Sequence, residues 1–258
     1  MSSALDQILL IPGIGRRDVV SQLRSLLFSD GEAGGMWFPF VSNSVRAERT
    51  GDSATTISGV GDAVGTVLDL SGNNNHWTTT DDSKRGLLSV DSNGKRFILT
   101  DGIDDFYQTP VITAGSDEMF VCIAFRGVTT GMQFEFSTNI NTNNGACYLL
   151  SSNQFASKGT VIQGTAQSIS GLQVRAMDAK ISEPIARQRV NQGSWVENTD
   201  SQGTGNYLNH RLFVSMRAGI SIPISMEIYG MILRFKRTPV NVISDVETIL
   251  AAKAGVVF

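Results

Sequence analysis

The sequence predicts an all-β protein, a two-sheet antiparallel β-sandwich with one short helix near each end of the chain. Many short extended segments follow one another, Gly-, Asn- and Asp-rich turns separate them, and almost no helical periodicity lies between them. A βαβ fold would need a crossover helix after each strand, so it is excluded.

The chain opens on the first helix. From Arg16 to Phe28 the apolar residues Val19, Val20, Leu23, Leu26 and Leu27 recur at helical spacing, with Arg17, Ser21, Arg24 and Ser25 between them. Ser29-Asp30-Gly31 ends the stripe and Gly34-Gly35 follows as a flexible joint, which divides the chain into a helical attachment segment, 1–30, and a sandwich, 31–258. Extended segments are expected at 65–70, 96–100, 119–125, 132–136, 147–150, 172–177, 211–217 and 226–235. Turn signals separate them at 71–73, 92–94, 101–102, 143–145 and 203–205. Polar and apolar residues alternate in 133–136 and 172–176, which predicts one wet face for each strand. The runs 119–125 and 229–233 are apolar almost throughout and predict central strands covered on both sides. Near the end, Ser244 and Glu247 have capping-box spacing, Val246, Ile249 and Leu250 form a stripe, and Lys253 before Gly255 closes the helix. Val256, Val257 and Phe258 are expected to tuck against a sheet.

Composition narrows the function classes. With 258 residues, 17% of them charged, 26 Gly and 6 Pro, the chain is neither a disordered polar tract nor a disulfide scaffold. A net charge of −3 gives no basic footprint for nucleic acid. The only cysteines, Cys122 and Cys147, lie in apolar runs and read as buried, unpaired thiols. No stretch approaches the ~20 apolar residues of a membrane span, the start shows no secretory leader, and no Asn-x-Ser/Thr sequon occurs, so synthesis in the cytoplasm and no membrane insertion are expected.

Three segments carry a family resemblance. Residues 60–76, VGDAVGTVLDLSGNNNH, the turn 99–106, LTDGIDDF, and the closing IYGMIL of 228–233 with LAAKAGV of 250–256 resemble, in the same order, the laminin-G-like (concanavalin-A-like) jelly-roll proteins of tailed bacteriophages. The resemblance covers about 35–258 and implies a jelly-roll sandwich, a place on the virion as a capsid-decoration or tail-associated adhesion protein, and no enzymatic activity. Its partners would be other phage structural proteins, with the chain in multiple copies, and a cell-surface glycan. The family's opening Trp-Phe-Asp-Pro is Trp37-Phe38-Pro39 here, which removes an acidic side chain, and 182–205 matches no family segment.

The candidate sites follow from residue chemistry. Asp69, Ser71 and Asn73 to Asn75 offer oxygens of the kind Ca²⁺ takes, but such residues also shape tight turns through their own backbone, and the turn reading is favoured; the same holds for Asp101, Asp104 and Asp105. No metal or other cofactor is therefore assigned, Ca²⁺ being the one ion weighed. Glu135 and Glu227 stand alone on their strands and are expected to be solvated, and no Glu-x-Asp-x-Glu spacing of a glucanase occurs. His76 and His210 sit in no nucleophile motif and are too few for a zinc site. Leu10 to Gly15 mimics a helix-hairpin-helix phosphate turn, without the preceding helix such a turn needs. Trp195 and Tyr207 are the candidate carbohydrate contacts, by stacking. Arg16, Arg17, Leu23, Leu26 and Leu27 are the candidate virion-docking residues. A carbohydrate-binding or polysaccharide-degrading tail protein and a Ca²⁺-dependent lectin are the alternative functions.

Overall fold

The computed structural model describes residues 18–49, 55–150, 154–168 and 170–258. Arg16, Arg17 and the Leu10–Gly15 turn lie outside them. In chain order the elements begin with α1 (Val19–Phe28), β1 (Gly35–Trp37), β2 (Val45–Arg46), β3 (Thr66–Val67), β4 (Trp77–Thr78), β5 (Leu87–Val90), β6 (Arg96–Leu99) and β7 (Tyr107–Gln108). Next come β8 (Glu118–Gly127), β9 (Met132–Phe136), β10 (Ala146–Leu150), β11 (Gln154–Lys158), β12 (Ile162–Ala166) and β13 (Leu172–Lys180). The chain then continues through β14 (Ile185–Val190), β15 (Val196–Asn198), β16 (Leu212–Val214), β17 (Met226–Arg234) and α2 (Val240–Ala254).

The strands form two antiparallel sheets, an eight-stranded one in the order β15-β14-β13-β8-β17-β6-β5 with β1 also on β17, and a nine-stranded one in the order β12-β11-β10-β9-β16-β7-β4-β3-β2. The fold is the all-β sandwich that the turn-separated strands predict. Strands β8 and β17 are covered on both sides, as their continuous apolar runs require. Met119, Val121, Ile123 and Phe125 of β8 enter the core between the sheets, where Trp37 stacks on Trp77 at 5.0 Å. Phe120, Cys122 and Ala124 point the other way, into a second core beneath the helices. Cys122 and Cys147 are buried and free.

Helix α1 starts where Asp18 caps it, its carboxylate accepting from the Ser21 amide at 3.0 Å. Leu23 and Leu27 are buried in the second core and only Leu26 is exposed. This corrects the docking assignment of Leu23 and Leu27. Each buried leucine contributes about 2 kcal/mol by leaving water, and that contribution is made to the chain's own sheet. Arg24 also donates to the Leu70 carbonyl at 2.8 Å, so α1 is packed on the sandwich and 1–30 is not a separate attachment unit within its described part.

Helix α2 differs from its expected start. It begins after Pro239, four residues before Ser244, so Ser244 and Glu247 lie inside the helix and form no capping box. Gly255 ends it in the left-handed conformation at φ 84°, its amide bonded to the Ala251 carbonyl at 2.7 Å. Beyond it Val257 is 91% exposed and Phe258 is exposed too, so of the terminal triad only Val256 packs against the second core.

Between α1 and β1, Glu32 reaches across to the end of β17. One carboxylate oxygen accepts from the amides of Gly34, at 3.0 Å, and Phe235, while Arg234 stands 4.0 Å from the other. Burial pushes this carboxyl up to about 7 from its ordinary 4.5, against the pull of those donors. A carboxyl that holds its proton more tightly when folded stabilises the fold below pH 4.5 and loses that contribution as pH rises towards 7. Wild type is therefore expected to lose up to about 3 kcal/mol relative to Glu32→Gln between those limits. Parallel urea titrations of the two proteins from pH 4 to 8 check this, and a constant difference across that range would refute it.

Candidate functional site

The two α-helices cover the outer face of the eight-stranded sheet, and among the described residues the outer face of the nine-stranded sheet has loops and no α-helix over it. Register across that sheet places one outward side chain per strand in a continuous row. Thr66 pairs with Thr78, Thr78 with Gln108, Gln108 with Phe213, Phe213 with Glu135, Glu135 with Tyr148, Tyr148 with Ala156 and Ala156 with Gly164. At about 4.8 Å per strand this row spans roughly 34 Å. Its far end is kept low by Ala156 and Gly164, where a Cβ on the glycine would lie 2.6 Å from the Phe155 carbonyl. Polar and aromatic groups therefore alternate along a floor that crosses the strands.

Glu135 is the one carboxyl group of the row. It is buried, which corrects the expectation of a solvated strand residue, and Glu227 is buried as well. Glu135 accepts from the Ile140 amide at 3.2 Å and pairs with Arg217 at 3.4 Å, while Oε2 has no hydrogen-bond partner among the described residues. Burial raises its pKa, opposed chiefly by the Arg217 guanidinium. Tyr148 stands opposite, its phenol donating to Gln154 at 3.3 Å. The same burial, with the Arg217 charge opposing, holds that phenol above its ordinary value.

A hairpin, residues 215–222, lies over the middle of the row. The Ile224 amide bonds the Ser215 carbonyl at 3.0 Å at its base, and the Arg217 amide bonds Ser221 at 2.8 Å nearer the tip. Met216 and Ala218 pack with Phe106 and Phe213. Gly219 is required at the tip, since a Cβ there would lie 2.6 Å from the Phe106 ring and its φ is 68°.

The other sequence candidates fall elsewhere. Tyr207 is fully buried between the sheets, its hydroxyl bonded to Ser157, so it does not serve as a sugar contact. Trp195 lies outside the eight-stranded sheet with the guanidinium groups of Arg187 and Arg189 over its ring at 4.4 and 4.7 Å, so cations already occupy its π surface. Asp69 is a loop anchor. Its two oxygens accept from the amides of Met36, Ser71 and Asn75 and from the Ser71 hydroxyl, all at 2.8 to 2.9 Å, which uses the acceptor sites an ion would need. Asp101, Asp104 and Asp105 have oxygens within 4.8 Å of one another. One Asp101 oxygen already accepts from three amides, and burial with the Asp101 charge raises Asp105 to about 6.

The alternation in 172–176 also has another meaning. Gln173 and Arg175 point between the sheets, not to water, and Arg175 donates to Gln188 at 2.5 Å and to the Gln167 carbonyl at 3.0 Å. Gln188 in turn donates to Thr165 of the other sheet, and desolvation lowers the Arg175 pKa to about 10. This network joins the two sheets at the β12–β14 margin.

No protein-family model matches the sequence, and no curated protein does. Solved structures share the fold. One is an arabinofuranosidase complexed with arabinofuranosyl-α-1,2-xylobiose, at TM-score 0.57 and 13% identity, over 86% of this chain and 62% of that one. A GH54 α-L-arabinofuranosidase soaked with 4-nitrophenyl α-L-arabinofuranoside gives 0.59 and 12% over 91% and 64%. Domain 4 of AbnA, a GH43 extracellular arabinanase from Geobacillus stearothermophilus, in complex with arabinotriose, gives 0.52 and 10% over 69% and 91%. The chain thus spans about three fifths of the length of the two arabinofuranosidases. At these identities the likeness establishes the fold. The expectation of no enzymatic activity is corrected, because the fold it rested on is here shared with glycoside hydrolases.

Proposed function

We propose that this chain is a carbohydrate-directed β-sandwich that engages a glycan along the outer face of the nine-stranded sheet. The observation that carries the reading is the row from Gln108 through Phe213 and Glu135 to Tyr148, continuous in register on the sheet face opposite the two α-helices and covered at its centre by hairpin 215–222. Phe213, Glu135 and Tyr148 are buried beneath the loops of that face, and once uncovered the row offers a sugar both an aromatic surface for its C–H face and polar groups for its hydroxyls. Arabinose-containing oligosaccharides are the first probes, by analogy with the ligands bound in structures of similar fold. Calorimetric titration with arabinotriose and with arabinofuranosyl xylobiose is expected to show saturable binding that weakens about tenfold in Tyr148→Ala, the usual loss for a central aromatic contact. Binding that is equal in the variant would place the site elsewhere.

A degrading role is the second reading, favoured by one observation. Glu135 is a buried carboxyl whose pKa burial raises, the direction in which a general acid that protonates a glycosidic oxygen is tuned. Hydrolysis by paired carboxyl groups requires a second one across the scissile bond. Reducing-end release from arabinan by wild type, lost in Glu135→Gln, is the outcome that establishes it. The setting on a tailed-phage particle, among other structural proteins, belongs to the same proposal and is supported by the three sequence segments.

A further inference from the structure

We propose that hairpin 215–222 is a gate on the glycan-binding row, latched by Arg217 on Glu135, and that its lifting joins Phe213 and Glu135 to the row. The inference rests on the carbohydrate reading of that face and adds its regulation.

Four observations point to movement at this place. The hairpin covers the two central members of the row, so the closed state interrupts a surface that is otherwise continuous from Gln108 to Tyr148. Ile222 at one end has φ 52°, a left-handed conformation that is strained for its β-branched side chain, and Ser215 at the other end and Ala218 at the tip are left-handed as well. Ile220 at the tip is 83% exposed, so its side chain does nothing to hold the tip down, and the packing there is left to Gly219 on the Phe106 ring. Beneath it, the latch carboxylate keeps one oxygen without a hydrogen-bond partner among the described residues, in a place where an amide or an aliphatic side chain would fit with less desolvation.

The groups facing Glu135 are Arg217 and the Ala218 amide of the hairpin, the Ser137 hydroxyl and Ile140 amide of the β9–β10 loop, and Tyr148 of β10. Arg217 and Ala218 belong to the moving part, so the latch is an ion pair with one amide contact beside it, backed by the Phe106, Phe213 and Met216 contact. The Ser215 amide bonds Gln133 at 2.9 Å and the Met132 amide bonds the Ile222 carbonyl at 3.0 Å, so β9 holds both ends and the part that lifts is the segment between them. A short segment held by these few contacts belongs to the low-stability end of the molecule. When it lifts, the Phe213 ring becomes a stacking surface and the Glu135 carboxylate becomes an acceptor for sugar hydroxyls. A binding-competent state that is a minor fraction of the free protein weakens apparent affinity by that fraction.

The test compares wild type, Arg217→Ala and the milder Glu135→Gln by amide hydrogen exchange and by titration with arabinotriose, after circular dichroism has established that each variant is folded. Exchange at 216–222 is expected to rise about tenfold in both variants while β17 amides are unchanged, and arabinotriose is expected to bind Arg217→Ala about tenfold more tightly. Exchange that stays the same in both variants overturns the gate and leaves the binding reading intact. Faster exchange with unchanged or weaker arabinotriose binding also overturns it, since the hairpin would then be a wall of the site. Faster exchange with no binding of arabinotriose or arabinofuranosyl xylobiose by any of the three proteins overturns the carbohydrate reading itself.

Discussion

Asp69→Ala is expected to lower the stability of the protein by about 4 kcal/mol, roughly 10 °C in Tm for a chain of this size. The carboxylate is buried in the loop after β3 and satisfies four donors from three places in the chain. The Met36 amide belongs to β1, whose neighbour Trp37 donates its indole N–H to the Asn75 carbonyl at 2.8 Å and stacks on Trp77. Removing the carboxylate leaves three buried amides without acceptors and frees the loop that holds this tryptophan pair. Asp69→Asn keeps the oxygen that serves Met36 and Ser71 but turns an amide nitrogen towards Asn75, so a loss of about 2 kcal/mol is expected. Asp101 is the internal control. It too anchors a turn through its carboxylate, accepting from the amides of Ile103, Asp104 and Asp105, yet it is exposed, and water can replace it. Its alanine variant should lose about 1 kcal/mol. Equal losses at Asp69 and Asp101 in thermal and urea unfolding would show that burial and the link to β1 do not set the difference.

The parts of this fold legible in the sequence are those where side-chain chemistry has one physical meaning. An uninterrupted apolar run such as 119–125 admits only a strand covered on both faces, and β8 is one. The turn at Asp69 to Asn75 was legible because short polar side chains bond neighbouring amides. Alternation is ambiguous by comparison, since it fixes which residues share a face but not what that face meets. Glu135 meets a hairpin from eighty residues away in the chain, and Arg175 meets glutamines and a threonine of the opposite sheet, contacts that no local pattern encodes. Strands β11, β12 and β14 were missed for a related reason. Gln154–Lys158, Ile162–Ala166 and Ile185–Val190 are short and polar, and pairing with neighbours supplies the order that their own residues do not. The row itself was invisible, because it is a property of register between strands. The true start of α2 did carry a signal, Pro239 just before the first helical turn, which the Ser244 and Glu247 spacing outweighed.

That spacing serves a different purpose, and Arg189→Ala is expected to reveal it through a loss of about 4 kcal/mol at pH 8. Arg189 on β14 reaches the underside of α2, donating to the two Glu247 oxygens at 3.2 and 2.5 Å and to the Ser244 hydroxyl at 3.0 Å. Glu247 is fully buried, and burial raises its pKa although Arg189 pulls it down. Without the guanidinium the carboxylate has no countercharge, so its folded pKa rises further above the unfolded value. A group shifted in that direction withdraws stability as pH increases, so the deficit of Arg189→Ala should shrink between pH 8 and pH 5 as Glu247 takes up a proton. Replacing both partners, in Arg189→Met with Glu247→Leu, removes the buried charges together and should return stability to within about 1 kcal/mol of wild type. If the double variant is instead as unstable as the single one, the guanidinium acts mainly by packing on Trp195, 4.7 Å away, and the ion pair is incidental to how α2 is held. The pH slope of Arg189→Ala separates the two cases even if the double variant folds poorly, since a deficit that comes from lost packing on Trp195 does not change as Glu247 takes up a proton.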